Sequence, residues 1–184
     1  MTTKSGRFDP RHLDMRAFAA AHGEIAGDWP LAALARLAGT AIEGSVASAA
    51  PVTWNAAAGR SVLAGAGSQA ALSLRADANL AMQCQRCLQP VDVPLAVARR
   101  IFFVEGEDAA AALDEDSDDD VLALEPAIDL RTLVEDELLL ALPLIARHEE
   151  CPQPLVAPLD DLPQASGERP FAALAALKAR RGDA

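Results

Sequence analysis

The chain has 184 residues, of which 51% are apolar, so it can bury a hydrophobic core and is not wholly disordered. Sixteen Lys and Arg residues against 27 Asp and Glu residues give a formal net charge of −11, which excludes a broadly basic surface for binding nucleic acid. Aromatic residues make up only 4%, with no Tyr, which leaves few side chains on which bases could stack.

The cellular location is predicted from apolar runs and from the number of cysteines. No run of about 18 uninterrupted apolar residues occurs, and the first residues do not form the apolar core of a secretory signal. Three cysteines make an odd count, which is typical of a reducing compartment. We therefore expect a cytoplasmic protein without a membrane partner.

The N-terminal region is predicted to be helical. Asp9 can cap a first helix with Pro10 at its first position, and Gly23 can end it. A second short helix is predicted from Asp28 to Gly39, because leucines recur there at helical spacing.

Strand patterns follow in the middle of the chain, at 40–50, 69–83, 91–105 and 121–124. Pro94 indicates an edge or a bulge within the third of these. Because the strands follow one another without intervening helices, we predict an α+β fold with a small, twisted, partly closed antiparallel sheet. One face of residues 69–83 is apolar: Leu72, Leu74, Ala76, Ala78, Leu80 and Met82.

An amphipathic helix is predicted after the sheet, over 129–142. Asp129 can cap it, Pro143 ends it, and leucines with Val134 form its apolar stripe. The acidic triplet 135–137 lies mostly opposite that stripe. It is either a solvated face or a patch that faces a partner.

The negative charge is concentrated in one segment. Residues 105–120 contain nine acids and no base, so the rest of the chain carries 16 − 18 = −2. Such a segment is either a solvated, mobile loop or a polyanionic surface that attracts a basic partner and repels RNA phosphates.

Three parts are predicted along the chain: a single α+β domain over 1–151 with the acidic loop 105–120 inserted, a linker over 152–169, and an amphipathic tail helix over 170–184. The tail ends with Lys178, Arg180 and Arg181. These cations either complement the helix dipole or help the tail to dock on a partner.

Two half-sites of metal-binding type occur in the chain. Cys84 and Cys87 form a C-x-x-C pair, and His148 and Cys151 have the same spacing after the predicted helix. Three thiolates and one imidazole suit tetrahedral zinc, and four protein ligands would make that zinc structural. Two alternatives stay open: reduced cysteines at a turn with an unrelated Cys151, or a redox dithiol in which Arg86 favours the thiolate.

No catalytic residue is predicted. The chain has three histidines, and it contains no nucleophile elbow, no phosphate-cradling glycine loop and no H-E-x-x-H motif. We therefore expect a protein that is not an enzyme and that has no small-molecule substrate.

Three stretches carry a family resemblance: M-Q-C-Q-R-C-L-Q-P at 82–90, I-D-L-R-T-L-V-E-D-E-L-L-L-A-L-P at 128–143 with His148 and Cys151 after it, and R-P-F-A-A-L-A-A-L-K at 169–178. In order and spacing they resemble the YceD family, the large ribosomal RNA subunit accumulation proteins. The resemblance implies a role in the synthesis, processing or stability of 23S ribosomal RNA. It supplies no reaction.

The resemblance and the charge together give a first hypothesis. A non-enzymatic assembly factor would bind a basic large-subunit ribosomal protein or a pre-ribosomal particle, and would reach 23S ribosomal RNA indirectly. The acidic segment and the triplet 135–137 would attract that partner. The alternatives in the same pathway are a thiol-redox enzyme and an RNA-processing enzyme.

Overall fold

The computed structural model describes residues 8–42, 44–45 and 50–152. The helices are α1 Met15–Ala20, α2 Ala35–Ala38, α3 Glu107–Glu115 and α4 Leu130–Leu140, and the strands are β1 Glu24–Trp29, β2 Val52–Leu63, β3 Gly67–Gln83, β4 Pro90–Val104 and β5 Asp120–Ala123. This content confirms the α+β class. None of the helices in the described ranges has the length and apolar character that crossing a membrane requires.

The five strands form one sheet in the order β1-β2-β3-β4-β5. The first four are antiparallel to their neighbours, but β5 runs parallel to β4. The predicted antiparallel pairing is therefore confirmed for β1 to β4, but the sheet as a whole is mixed and is not closed. Helix α3 forms the crossover connection that makes this parallel pairing possible. It returns the chain from the end of β4, so that Asp120 at the start of β5 pairs with Ile101.

The apolar alternation of β3 is confirmed. Leu72, Leu74, Ala76 and Leu80 are buried on one face of the strand, while Ala78 and Met82 are half-buried against the same core. Pro94 pairs with Asn79 of β3, in the part of β4 that precedes its pairing with β5. Pro94 thus lies on a free stretch of sheet edge, as predicted.

The helices α1, α2 and α4 supply the rest of the main core. Helix α1 packs on β2 and β3, α4 packs on β3 and β4, and α2 packs against α4. Phe18 of α1 and Leu138 of α4 are completely buried there. The chain before α1 is joined to the start of α4, because Leu13 and Ile128 exchange backbone hydrogen bonds of 2.9 Å.

Both predicted N-terminal helices are present, as α1 and α2, and the second ends at Gly39 as predicted, but each begins later than predicted. Helix α1 begins at Met15, where Asp14 accepts a hydrogen bond from the Ala17 N–H, whereas Asp9 accepts one from the Arg11 N–H in the preceding turn. Asp28 and Trp29 do not begin a second helix but end β1. Pairing with β2 decides this outcome, since Trp29 stacks on Trp54 with 4.5 Å between ring centroids.

The acidic segment 105–120 is not a loop throughout. Most of it forms α3 and the connection to β5, and Ala110 and Leu113 pack on a second, smaller core with Phe102 and Val121. The Asp114 carboxylate accepts a 2.8 Å hydrogen bond from the Val121 N–H. Residues 107–115 of the predicted acidic loop are therefore helical, and most of the carboxylates of the segment are exposed.

Helix α4 is confirmed with Asp129 as its cap, since that carboxylate accepts hydrogen bonds from the N–H groups of Arg131 and Thr132. The solvated face predicted for 135–137 is wrong at two of three positions. Glu135 and Glu137 are buried and form ion pairs with Arg36 and Arg99, while Asp136 is half-exposed. Helix α4 packs against α2 and β4, and this packing buries the two carboxylates. Arg36 lies on α2 and Arg99 on β4, so each buried carboxylate meets a cation.

The remaining C-terminal predictions concern residues beyond Pro152. The linker 152–169, apart from its first residue, and the tail helix 170–184 lie outside the described residues. Both stay predictions.

Candidate metal centre

The first half-site lies in the turn between β3 and β4. The Cys84 N–H donates to the Gln89 carbonyl and the Leu88 N–H donates to the Cys84 carbonyl, each at 2.9 Å. Leu88 has a φ of 61°, a left-handed conformation that reverses the chain direction. The turn holds the thiols of Cys84 and Cys87 in the protein interior, where both residues are buried.

The second half-site lies on the segment after α4 and is fastened to this turn. The Gln85 N–H donates a 2.9 Å hydrogen bond to the carbonyl of Ala146, which is itself buried. The Arg86 guanidinium donates to the carbonyls of His148 and Glu149 at 3.0 and 3.1 Å. These bonds bring together two half-sites that are about 60 residues apart in sequence.

The four predicted ligands come together in space. The Sγ atoms of Cys84 and Cys151 are 3.9 Å apart, and the Cys87 Sγ lies 3.4 Å from the His148 Nδ1. All four ligand atoms lie within 4.8 Å of one another. Tetrahedral zinc with normal bond lengths separates two sulfur ligands by about 3.8 Å and a sulfur from a nitrogen by about 3.5 Å. The cluster could therefore hold a metal ion, and its donors suit zinc.

The imidazole of His148 is oriented for coordination. Its Nε2 lies 2.9 Å from the Pro90 carbonyl oxygen, which can only accept a hydrogen bond. Nε2 therefore carries the proton, and in the neutral ring the Nδ1 lone pair faces the Cys87 sulfur. A backbone carbonyl that fixes the tautomer in this way is the usual support of a metal-binding histidine.

The thiols differ in acidity. Burial raises the pKa of Cys84, but hydrogen bonds from the backbone N–H groups of Cys87, His148 and Arg86 outweigh burial and lower the pKa to about 5. Burial raises the pKa of Cys87, and the neighbouring Cys151 and Cys84 sulfurs add to the rise. A cation among the sulfurs would stabilise all three thiolates together.

Arg86 is the residue whose role the sequence analysis underestimated. Besides its two bonds to backbone carbonyls, its Nε donates to the Cys151 Sγ at 2.9 Å. The hydrogen bond to the Cys151 sulfur, together with the nearby Cys84 and Cys87, raises the pKa of the Arg86 guanidinium. Its position between Cys84 and Cys87 indicates a residue close to the candidate metal centre. Its contacts with the second half-site cannot be read from the sequence, because they depend on the fold.

Comparison with known proteins gives one match. Residues 72–178, more than half of the chain, match the family model described as Large ribosomal RNA subunit accumulation protein YceD. The matched range contains both half-sites and helix α4. No curated protein and no solved structure shows a significant match.

Proposed function

Because this chain belongs to the YceD family of large ribosomal RNA subunit accumulation proteins, we propose that it supports the accumulation of 23S ribosomal RNA as a non-enzymatic assembly factor. It acts in the cytoplasm on a pre-ribosomal particle or on a basic large-subunit ribosomal protein. The family match is the observation that carries this proposal. The family description names the large ribosomal RNA, whereas the basic partner is inferred from the negative net charge of this chain.

The charge distribution supports a protein partner over direct contact with RNA. Helix α3 and its flanks present an ordered row of exposed carboxylates, and the Arg36 and Arg99 side chains are engaged by carboxylates of α4. Affinity for RNA phosphates depends on clustered Lys and Arg that release counterions. An acidic surface instead accelerates association with a basic protein and repels bare RNA.

In this proposal the metal centre is structural. Cys84, Cys87, His148 and Cys151 would hold zinc with four protein ligands, which leaves no position open for water or a substrate. The ion would join the β3–β4 turn to the segment that follows α4. Its contribution would be to stability rather than to a chemical step.

Affinity capture of large-subunit precursors tests the proposed function. The variant Glu115→Gln/Asp116→Asn removes two exposed charges at the C-terminal end of α3, and Glu24→Gln/Asp77→Asn removes two exposed charges from the sheet. We expect the first variant to capture less precursor than the second, with the difference disappearing at high salt. Equal capture by wild type and both variants at all salt concentrations would contradict the charge-based mechanism.

A thiol-redox protein is the second candidate, and the low pKa of Cys84 is the observation that favours it. Elemental analysis and thiol labelling of protein purified without chelators distinguish the two. One equivalent of bound zinc with slow labelling supports the structural centre. Metal-free protein that labels rapidly at Cys84 and forms a reversible disulfide supports the redox candidate.

An RNA-processing enzyme is the third candidate and has no supporting observation in the described residues. Incubation of the purified protein with precursor RNA and divalent metal checks it. Site-specific cleavage that a single substitution abolishes would replace the assembly-factor proposal.

A further inference from the structure

A groove lies between the edge strand β5 and helix α4, and none of its lining residues belongs to the candidate metal centre. Its volume is about 440 Å³. Apolar side chains form much of its lining: Phe103 from β4, Leu122 from β5, Ile128 before α4 and Leu133 from α4. Leu122 is 41% exposed, so part of this apolar lining is accessible from solvent.

Within the described ranges, the strand beside the groove has an unpaired edge. Among the described residues, strand β5 is the last of the sheet and pairs only with β4. The Leu124 N–H donates to the Val104 carbonyl, so the N–H of Ala123, one residue earlier, points away from β4. Since Ala123 also lines the groove, an extended peptide there would meet a backbone that is ready to pair.

The rim of the groove is acidic. Four carboxylates line it, from Glu107, Glu125, Asp129 and Asp136, and no Lys or Arg of the described residues does. Asp129 forms an ion pair with Arg11 and Asp136 one with Arg36, whereas Glu107 and Glu125 are exposed and form none within the described ranges. The surrounding sequence, 105–136, contains 13 acids and one base.

We propose that this groove binds an extended, Lys- and Arg-rich segment of a partner protein. The segment adds a strand to β5, places one apolar side chain against Leu122 and Leu133, and sets its cations beside Glu107 and Glu125. Charge complementarity selects this occupant, because an acidic rim repels nucleic acid and an acidic peptide alike. The inference rests on the proposed function, in that it identifies the surface that would receive a basic assembly partner.

Fluorescence anisotropy with defined peptides tests the proposal on the full chain. The probe is a short labelled peptide in which lysine alternates with valine and isoleucine, and the comparison peptide carries serine at the apolar positions. We expect the wild type to bind the probe more tightly than the comparison peptide, with hydrogen exchange at β5 slowed on binding. Equal binding of both peptides, or no binding of the probe, would overturn the proposal.

Matched variants locate the binding. Leu122→Ser should weaken binding of the probe about tenfold, whereas Val62→Ser, which alters an exposed apolar residue on β2, should change it less than about twofold. Glu107→Gln/Glu125→Gln should likewise weaken binding more than Glu24→Gln/Asp77→Asn, which removes the same charge from the sheet. Thermal unfolding of each variant shows whether it is folded.

Two results would show that the groove has a different role. Equal losses in the groove and control variants would mean that the net charge attracts the peptide without a site. A concentration-dependent dimer blocked by Leu122→Ser would make the groove a contact between copies of this chain. Either result overturns the inference but leaves the proposed function standing if the wild type still captures large-subunit precursors; loss of that capture would overturn the function itself.

Discussion

The guanidinium of Arg86 extends from the turn of the first half-site and donates hydrogen bonds to the Cys151 sulfur and to two backbone carbonyls of the second half-site. Zinc with three thiolates carries a net charge of −1, and the adjacent guanidinium would neutralise it. Its two bonds to the carbonyls at 148 and 149 also hold the second half-site in place before any ion binds. The metal centre is thus organised by groups around the ligands as well as by the ligands.

Removal of one ligand should release the metal. We expect Cys84→Ser to bind much less zinc than the wild type and to unfold about 5 °C lower or more, because binding to the native state alone stabilises it. Calorimetry and elemental analysis measure both effects. A chelator serves as the control: it should lower the unfolding temperature of the wild type but leave that of Cys84→Ser unchanged. If the chelator changes neither protein, the centre is not a metal site.

Substitution of Arg86 should weaken the metal centre without removing a ligand. We expect Arg86→Gln to lower zinc affinity about 10–100-fold, and Arg86→Lys to restore only part of it, because lysine lacks the planar set of donors that reaches a sulfur and two carbonyls. Competition with a zinc-binding dye measures the affinities. Arg75→Gln, at an exposed position of β3, is the matched control and should bind zinc like the wild type. Equal affinities for all variants would show that Arg86 does not organise the site.

At the scale of the elements, Glu135 joins α4 to α2. Its carboxylate accepts hydrogen bonds from the N–H groups of Arg36 and Leu37, at 2.7 and 3.1 Å, and pairs with the Arg36 guanidinium. Helix α2 has no side-chain cap of its own, so this residue from a distant helix satisfies its first N–H groups. Burial raises the pKa of Glu135, but these bonds outweigh burial and lower it.

A pH dependence of stability follows from this lowered pKa. Because the folded pKa lies below the unfolded value of about 4.3, ionised Glu135 stabilises the native state above that pH, and the contribution is lost as the pH falls through the folded pKa. We expect Glu135→Gln to lower the free energy of unfolding by about 1–3 kcal/mol at pH 7 and by less below about pH 4. Urea unfolding at several pH values measures this difference.

Asp136→Asn is the matched control for that experiment, since Asp136 pairs with the same arginine but its side chain is 44% exposed. Its substitution should change the free energy of unfolding by less than about 1 kcal/mol. If Asp136→Asn destabilises the protein as much as Glu135→Gln, the arginine pairing and not the hydrogen bonds to α2 accounts for the effect.

The helical period separates Glu137 from Asp136 on the surface of α4. At about 100° per residue, Glu137 lies about 20° from Leu130 and therefore within the apolar stripe, whereas Asp136 lies on the opposite side. The helical period therefore places Glu137 on the core side of α4. A carboxylate can be buried there only if a cation pairs with it. That partner, Arg99, lies on β4 and forms a 2.9 Å bond to the Glu137 carboxylate.

On the scale of the whole molecule, the negative charge is carried by ordered elements. Helix α3 packs on the small core around Phe102 and Val121, so the backbone that carries its carboxylates is ordered. A fixed row of charges loses less entropy on binding than a mobile loop would, since its backbone is already ordered. This favours a specific surface for a basic partner.

The same charge predicts weak binding to isolated RNA. We expect the purified protein to bind a bare 23S transcript no more tightly than micromolar at physiological salt, because few clustered cations are available to release counterions. Filter binding measures this affinity, with a basic ribosomal protein as a positive control. Nanomolar binding to the bare transcript would contradict the indirect mechanism.

The sequence by itself determined what depends on local pattern and residue chemistry: the α+β class, the buried face of β3, the cap and stripe of α4, and the four residues of the candidate metal centre. The tertiary structure alone decided what depends on distant partners. Pairing with β2 made a strand of 24–29, α3 returned the chain so that β5 lies parallel to β4, and Arg36 and Arg99 allowed two acids of α4 to be buried. The difference is physical: an alternation or a cap is satisfied by neighbours in sequence, whereas strand pairing and the burial of charge depend on groups that only folding brings together.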